Sequence, residues 1–220
     1  METAQDPNHL GGKFLRLNDD GSIPSDNPFV GKAGHRPEIF ALGSRNAQGI
    51  DWHPATGAMF ATEHGPSGEE IRQPTGGADE FNLVTPGCNL GWPLIHAHHA
   101  QERLVTPLIN FVHTIAPGSG MVYTGTATPA MTDSCFIGCM RAHALARVEL
   151  GAGKPSEVHV KDWSTVLDDL GRIRALTQGP LDFAQPASAS NTVLYFASSN
   201  GDRYGGHRPN GDRIFRIVPK

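Results

Sequence analysis

Apolar and polar positions alternate along this chain in short runs, and turn-forming residues punctuate nearly every one of them. The runs GKFLRL, EIFALG, GIDWHP, GAMFATE, EFNLV, GMVYTG, SCFIG, LARVEL, NTVLYFASS and RIFRIVP have the length and the period of two expected of β-strands. Helical periodicity is nearly absent. Its best representative, STVLDDLGRIRAL, is short and interrupted by Gly171.

Two regularities organise these runs. The segment GIDWHPATGAMFATEHGP predicts strand, tight turn, strand and polar loop, and RALTQGPLDFAQPASASNTVLYFASSNGD repeats that order with a longer connection. In KFLRL, LARVEL and RIFRIV, apolar positions alternate with a basic residue, as an outer strand with one wet face requires. Hairpins followed by amphipathic outer strands fit the blades of a β-propeller. At about 40–45 residues per blade, the chain would hold roughly four. A β-sandwich fits short strands and turns equally well, so repetition leaves both open.

Composition supports the all-β class. Gly 26 and Pro 17 without a low-complexity tract imply many short elements joined by turns. A net charge of −4, with Arg and Lys occurring singly, predicts no nucleic-acid partner and no anionic membrane surface. No apolar run reaches spanning length, and the opening METAQDPNHLGGK lacks a basic-then-apolar signal pattern. Cys135 and Cys139 would lie on the same side of a strand about 13 Å apart, at roughly 3.3 Å per residue. That is too far for a disulfide, so these and Cys88 are expected as free thiols.

The chemistry concentrates in a few constellations. GSRNAQG places Arg45, Asn46 and Gln48 in a glycine-bounded turn between strand-like runs. Either the turn is merely amide-rich, or the three side chains converge on something flat, polar and anionic. TEHGP follows one strand later, with Glu63 and His64 inviting a metal-ligand or general-base role. Then come GGADEFNLVTPGCNLGWP, GCMRA and GRIRAL. The cluster His96, His98 and His99 has no acidic or cysteine ligand at supporting spacing, which argues against a zinc site.

Each motif alone is weak, but their order is specific. From AQDPNHLGGKFLRLNDDGSIPSDNPF through RN-x-QG, EHGP, DEFNL, NLGWP, TIAPGSGMVY, CFIGCMRA and GRIRALTQGP to DRIFRIVP, the chain resembles the soluble quinoprotein glucose/sorbosone dehydrogenases and the aldose sugar dehydrogenases over essentially residues 1–220. The resemblance implies an all-β fold, part of a six-bladed β-propeller. It also implies pyrroloquinoline quinone (PQQ) as cofactor, calcium, and an aldose as small-molecule substrate.

That cofactor is a planar orthoquinone with three carboxylates, so its site needs fixed cations and directional donors. By the family pattern, Arg45 stands at the reactive quinone carbonyl, Asn46 donates to the neighbouring oxygen and Gln48 lines the same wall. Arg172 and Arg174 are carboxylate clamps, their spacing of two facing them the same way on a strand. Arg141 stands where the soluble glucose enzyme carries a lysine; the charge survives, the shape does not. Thr114 and Ala116 belong to a loop flanking the cofactor.

Calcium is implied at the backbone carbonyls of Gly65 and Pro66, where glycine admits close approach and proline sets φ. Glu80 corresponds to the ligand of a second, structural calcium. His64 is expected to pack, and Gly91, Trp92 and Pro93 to form a blade corner. Arg147, Arg213 and Arg216 are expected as solvated outer-face residues.

The extra residues SGEEIRQPTGG border the cofactor mouth. PLINFVH lacks the aromatic pair expected beside glucose, so the sugar is left unspecified. The resemblance also implies two blades upstream of this segment, carrying the catalytic histidine; His9 and His35 match it by residue type only. A truncated or mis-started reading frame, a fragment that associates with the missing N-terminal blades, and a short non-catalytic carbohydrate- or protein-binding propeller piece all fit. Full-length relatives are expected to be periplasmic or secreted.

Overall fold

The computed structural model describes residues 2–66, 77–95, 101–151, 153–154, 157–186, 188–201 and 211–219. Among them thirteen strands form: β1 Lys13–Leu15, β2 Ile39–Leu42, β3 Ala47–Trp52, β4 Met59–Glu63, β5 Asp79–Val84, β6 Ile109–Phe111, β7 Pro117–Val122, β8 Ser134–Cys139, β9 Ala144–Leu150, β10 Val160–Leu167, β11 Ile173–Pro180, β12 Thr192–Ser198 and β13 Ile214–Arg216. The helical content described is confined to short 3-10 turns such as Pro129–Met131. No helix among the described residues is long and apolar enough to cross a membrane.

The strands form four sheets, ordered β1-β2, β3-β4-β5-β6, β7-β8-β9-β10 and β11-β12-β13. Within them the paired strands run antiparallel. The all-β expectation is met. Two local expectations are not. STVLDDLGRIRAL is no helix: its first residues end β10 and its last begin β11. Between them Asp169 (φ 55°) and Gly171 (φ 86°) adopt left-handed conformations that turn the chain back. LARVEL is no outer strand either, because β10 covers the free edge of β9.

The residues divide into two compact units: 1–47 with 59–113, and 48–58 with 114–220. In the first, Phe14, Ala41, Met59, Ala61, Val84 and Leu90 make a buried cluster, while Phe60 and Phe81 stack with ring centres 5.2 Å apart. Each such ring removed from water contributes about 1.5–3 kcal/mol. In the second, Met121, Tyr123, Phe136, Leu145, Ile173, Leu194 and Phe196 form the core. The Tyr123 hydroxyl donates to the Thr192 carbonyl at 2.6 Å, so the ring is buried without orphaning its polar end.

Glycines set the spacing in this second unit. A Cβ on Gly118 of β7 would lie 2.7 Å from the Arg174 carbonyl oxygen, and one on Gly138 of β8 would lie 2.8 Å from that of Ile173. Bare backbone at both points lets β11 lie directly against β7 and β8. Cys135 and Cys139 are buried free thiols and Cys88 a half-buried one, as expected, and burial pushes the Cys135 and Cys88 thiols up, away from the reactive thiolate.

Gly138→Ala should therefore lower stability by about 1–3 kcal/mol, the ordinary cost of overpacking a fitted contact. The measurement is the urea midpoint at constant m. An unmoved midpoint would show that β8 and β11 are not held this close.

Candidate functional site

In the first unit the site is built around the turn that leaves β2. Gly43 has φ 76°, and a Cβ there would lie 2.2 Å from Asn89 Oδ1, so only glycine can begin the turn. Ser44, Arg45 and Asn46 follow, and the chain enters β3. The neighbouring strand β4 is buried from end to end and finishes on a carboxylate, Glu63, only 3% exposed.

That carboxylate accepts the Arg45 backbone N–H and, at 3.1 Å, the Asn46 N–H on one oxygen. Its other oxygen accepts the Ser44 hydroxyl at 3.3 Å. The His64 N–H donates to the Asn46 carbonyl at 3.1 Å, and Arg45 Nη1 donates back to the His64 carbonyl at 3.0 Å. The half-buried Arg45 guanidinium lies 5.4 Å from the centre of the Trp92 ring, a cation–π distance. Trp92 is fixed in turn: its N–H donates to Gly43 and its carbonyl accepts Gln5 Nε2 at 2.7 Å.

The segment after His64 is equally constrained. Gly65 donates its N–H to Asp79 Oδ1 at 2.9 Å, and a Cβ on it would lie 2.2 Å from the Gly77 carbonyl oxygen and 2.3 Å from that of Ala78. Backbone oxygens thus pack against Gly65 where any other residue would place its Cβ. Glu80 faces Glu63 across β4 and β5, and its carboxylate accepts Asn82 Nδ2 at 3.1 Å. Arg45, Gly65, Pro66 and Glu80, each expected at the site, line one hollow together with Glu63, His64 and Trp92. Asn46 stands exposed beside it.

The second unit carries the other expected residues. Ala116 has φ 48°, its carbonyl accepts the Met140 N–H at 2.9 Å, and the Ile115 carbonyl accepts the Arg141 N–H at 2.9 Å. The Thr114–Ala116 loop is thereby laced to the end of β8. Arg172 Nη1 reaches the Met140 carbonyl at 3.4 Å, while its backbone N–H donates to Asn200 Oδ1 at 3.0 Å. The structure thus gathers Ala116, Arg141 and Arg172 around residues 140–141.

Arg174 differs from the expectation of a paired clamp. The β11–β12 register slips between Ile173 and Ala175, so Arg174 is the extra residue of a bulge and simple alternation no longer aims it. Arg172 is half-buried, whereas Arg174 and Arg141 are exposed. Gln48 is exposed on β3. Arg213 and Arg216 are exposed as expected. Arg147 instead is half-buried, donating to Ser134 Oγ at 2.9 Å and pairing with Glu149 at 3.0 Å.

His9 accepts the Gly11 N–H at 2.9 Å in an exposed turn, and His35 stacks on Phe29 with centres 5.0 Å apart. Both have local structural work. His96, His98 and His99, and nearly all of SGEEIRQPTGG, lie outside the described residues.

Sequence patterns offered Glu63 with His64 for a metal-ligand or general-base role and Trp92 for a blade corner, and missed that both support the Arg45 turn. The available signal was the carboxylate itself, a charged residue closing the otherwise buried run MFAT.

Residues 1–185 match the family model described as Glucose / Sorbosone dehydrogenase. The chain belongs to this family. It is 31% identical over 191 residues to the aldose sugar dehydrogenase of Escherichia coli K12, covering 81% of this chain and 48% of that relative. An oxidoreductase assigned as a glucose dehydrogenase from Thermus thermophilus superposes with a TM-score of 0.81 at 37% identity, covering 99% of this chain and 58% of that one. The PQQ-bound aldose sugar dehydrogenase of Streptomyces coelicolor superposes with a TM-score of 0.75 at 26% identity, covering 98% of this chain and 54% of its own. The chain spans about half the length of the curated relatives it matches.

In this glucose/sorbosone dehydrogenase family member, burial pushes the Glu63 carboxyl from its ordinary 4.5 up to about 7; the Arg45 N–H opposes the rise and the Glu80 charge adds to it. A folded-state value above the unfolded one means the folded chain keeps a proton that the unfolded chain has released. Stability from this group is therefore full below about pH 4.5 and lost as pH rises through 7, a fall of about 3 kcal/mol. In calcium-free buffer Glu63→Gln should flatten that slope between pH 4.5 and 8 in urea titrations. An identical slope in the variant would assign it to another group.

Proposed function

We propose that this chain forms the cofactor-holding part of a PQQ-dependent sugar dehydrogenase that oxidises an aldose at C1. The four sheets are then blades of a six-bladed propeller, and the remaining blades associate with this segment. The observation that carries the proposal is the posture of Arg45. Its backbone is tied to a buried carboxylate and its guanidinium is laid on Trp92, beside the Gly65–Pro66 backbone. The quinone-bound relative of the same fold supports it.

The donor set fits the group. Arg45, with Asn46 and Gln48, supplies a planar cation and amide donors suited to quinone oxygens, and Arg141, Arg172 and Arg174 supply positive charge for carboxylates. Thr114 and Ala116 shape the wall beside them. Gly65 and Pro66 would give carbonyl oxygens to calcium, with Glu80 as a carboxylate ligand of a second ion. Held by these residues, the quinone would supply the hydride acceptor for oxidation at the sugar C1, and calcium would supply Lewis-acid character.

The protein's own contribution is preorganisation. Arg45 is held as an electrophilic partner before any ligand arrives, so little reorganisation is needed when negative charge develops near it. Trp92 covers one face of the guanidinium and excludes water there, which strengthens its field. The base for the C1 hydroxyl is assigned to the family segment outside these residues rather than to His9 or His35.

Titration with PQQ in excess calcium, followed by absorbance and by sugar-dependent dye reduction, tests the proposal. Saturable binding is expected, weakened about 10- to 100-fold in Arg45→Met, which removes hydrogen bonds from a charged donor. Arg213→Ala should leave affinity unchanged. Absence of saturable binding by folded protein, or equal affinity in Arg45→Met, would refute the assignment and favour a binding-surface role. Turnover by these 220 residues alone would relocate the base within them.

A further inference from the structure

Glu63 takes no part in the chemistry proposed above, yet it is an ionisable carboxyl buried at the end of an apolar strand. Burying an ionisable carboxyl is costly unless it is paired or hydrogen-bonded, and no ion pair to Glu63 is found among the described residues. The adjacent Arg45 guanidinium donates to the His64 carbonyl. What the carboxylate has instead of a countercharge is two successive backbone N–H groups on one oxygen and a hydroxyl on the other. Successive N–H groups converging on an anion make an anion-binding turn, here filled by the protein's own side chain.

We infer that Glu63 is a positioning residue: its carboxylate clamps the Ser44–Asn46 backbone so that the Arg45 and Asn46 side chains are presented to the ligand instead of turning back onto the strand. The inference rests on the assignment of Arg45 and Asn46 as cofactor contacts. Three further ties share the frame. The Asn46 carbonyl is held by the His64 N–H, the guanidinium by Trp92, and the start of the turn by Gly43, where no Cβ fits. Between those ties one Glu63 oxygen accepts both N–H groups, from a side chain that is itself buried. The requirement is for an acceptor oxygen at this position. A glutamine retains one and an apolar side chain of similar length does not.

The test uses the 220-residue chain with Glu63→Met and Glu63→Gln, followed by residue-resolved amide hydrogen exchange without cofactor and by PQQ titration in calcium. In Glu63→Met, exchange at the Arg45 and Asn46 amides should accelerate at least about tenfold while the β7–β9 amides stay unchanged. Quinone affinity should fall by about the same factor. Glu63→Gln should stay within about threefold of the unmodified chain on both counts, a rescue by acceptor geometry that general destabilisation would not produce. Unchanged exchange at those two amides in a folded Glu63→Met chain would overturn the inference. So would accelerated exchange with full quinone affinity. Should Glu63→Met fail to fold, Glu63→Gln decides: fast exchange at Arg45 and Asn46 in that folded variant overturns the inference, and protected amides uphold it. Absence of quinone binding by the unmodified chain would remove the cofactor assignment, whereas the exchange data would still show whether Glu63 holds the turn.

Discussion

Glu63 closes an apolar strand and, with its two oxygens, takes up the Arg45 and Asn46 N–H groups and the Ser44 hydroxyl. The Arg45 turn of the first unit is organised around that arrangement. With the turn backbone held from below, the Arg45 side chain can lie across Trp92 and reach the His64 carbonyl, and the chain enters β3 in one defined direction. Strand β4 is thus both the core of its sheet and the support of the site. Its apolar residues bury it, and its one charge, displaced to the end, satisfies backbone groups that a turn would otherwise leave without partners.

The candidate residues of the second unit depend on a different constraint, the closeness of backbones. Gly118 and Gly138 remove the side chains that would separate β7 and β8 from β11, and the bulge at Arg174 lies on this contact. Arg172, two residues earlier, is anchored through its backbone to Asn200 and reaches the Met140 carbonyl. The arginines are therefore carried by a strand whose position is set by glycines on its neighbours. A change in those glycines would act on the cationic residues without touching them.

In each unit the candidate residues are built the same way: flexible cationic side chains are mounted on backbone that has little freedom left. Left-handed residues at Gly43 and Ala116 begin or end the mounting loops, and hydrogen bonds from adjoining strands lace them down. Such preorganisation suits the binding of a rigid, flat polyanion, because the loss of side-chain freedom on binding is small when the supporting backbone is already fixed.

By itself the sequence determined the fold class, most strand positions and the family. Alternation with turn residues marks β2, β4, β5, β8 and β12 because each buries one face or both, and the ordered motifs RN-x-QG, EHGP and DE-x-N identify the lineage. Only the tertiary structure decided how the site residues are held. Period-two reasoning missed the strand at Val160–Leu167, which is exposed along most of its length, and it misaimed Arg174, because a bulge depends on the partner strand's register. It placed LARVEL at an edge because half-buried arginines look the same whether water or another strand lies beside them. The supporting roles of Glu63 and Trp92 were hidden for one physical reason: they lie in contacts with backbone and side chains 17 to 87 residues away, and no local pattern records such contacts.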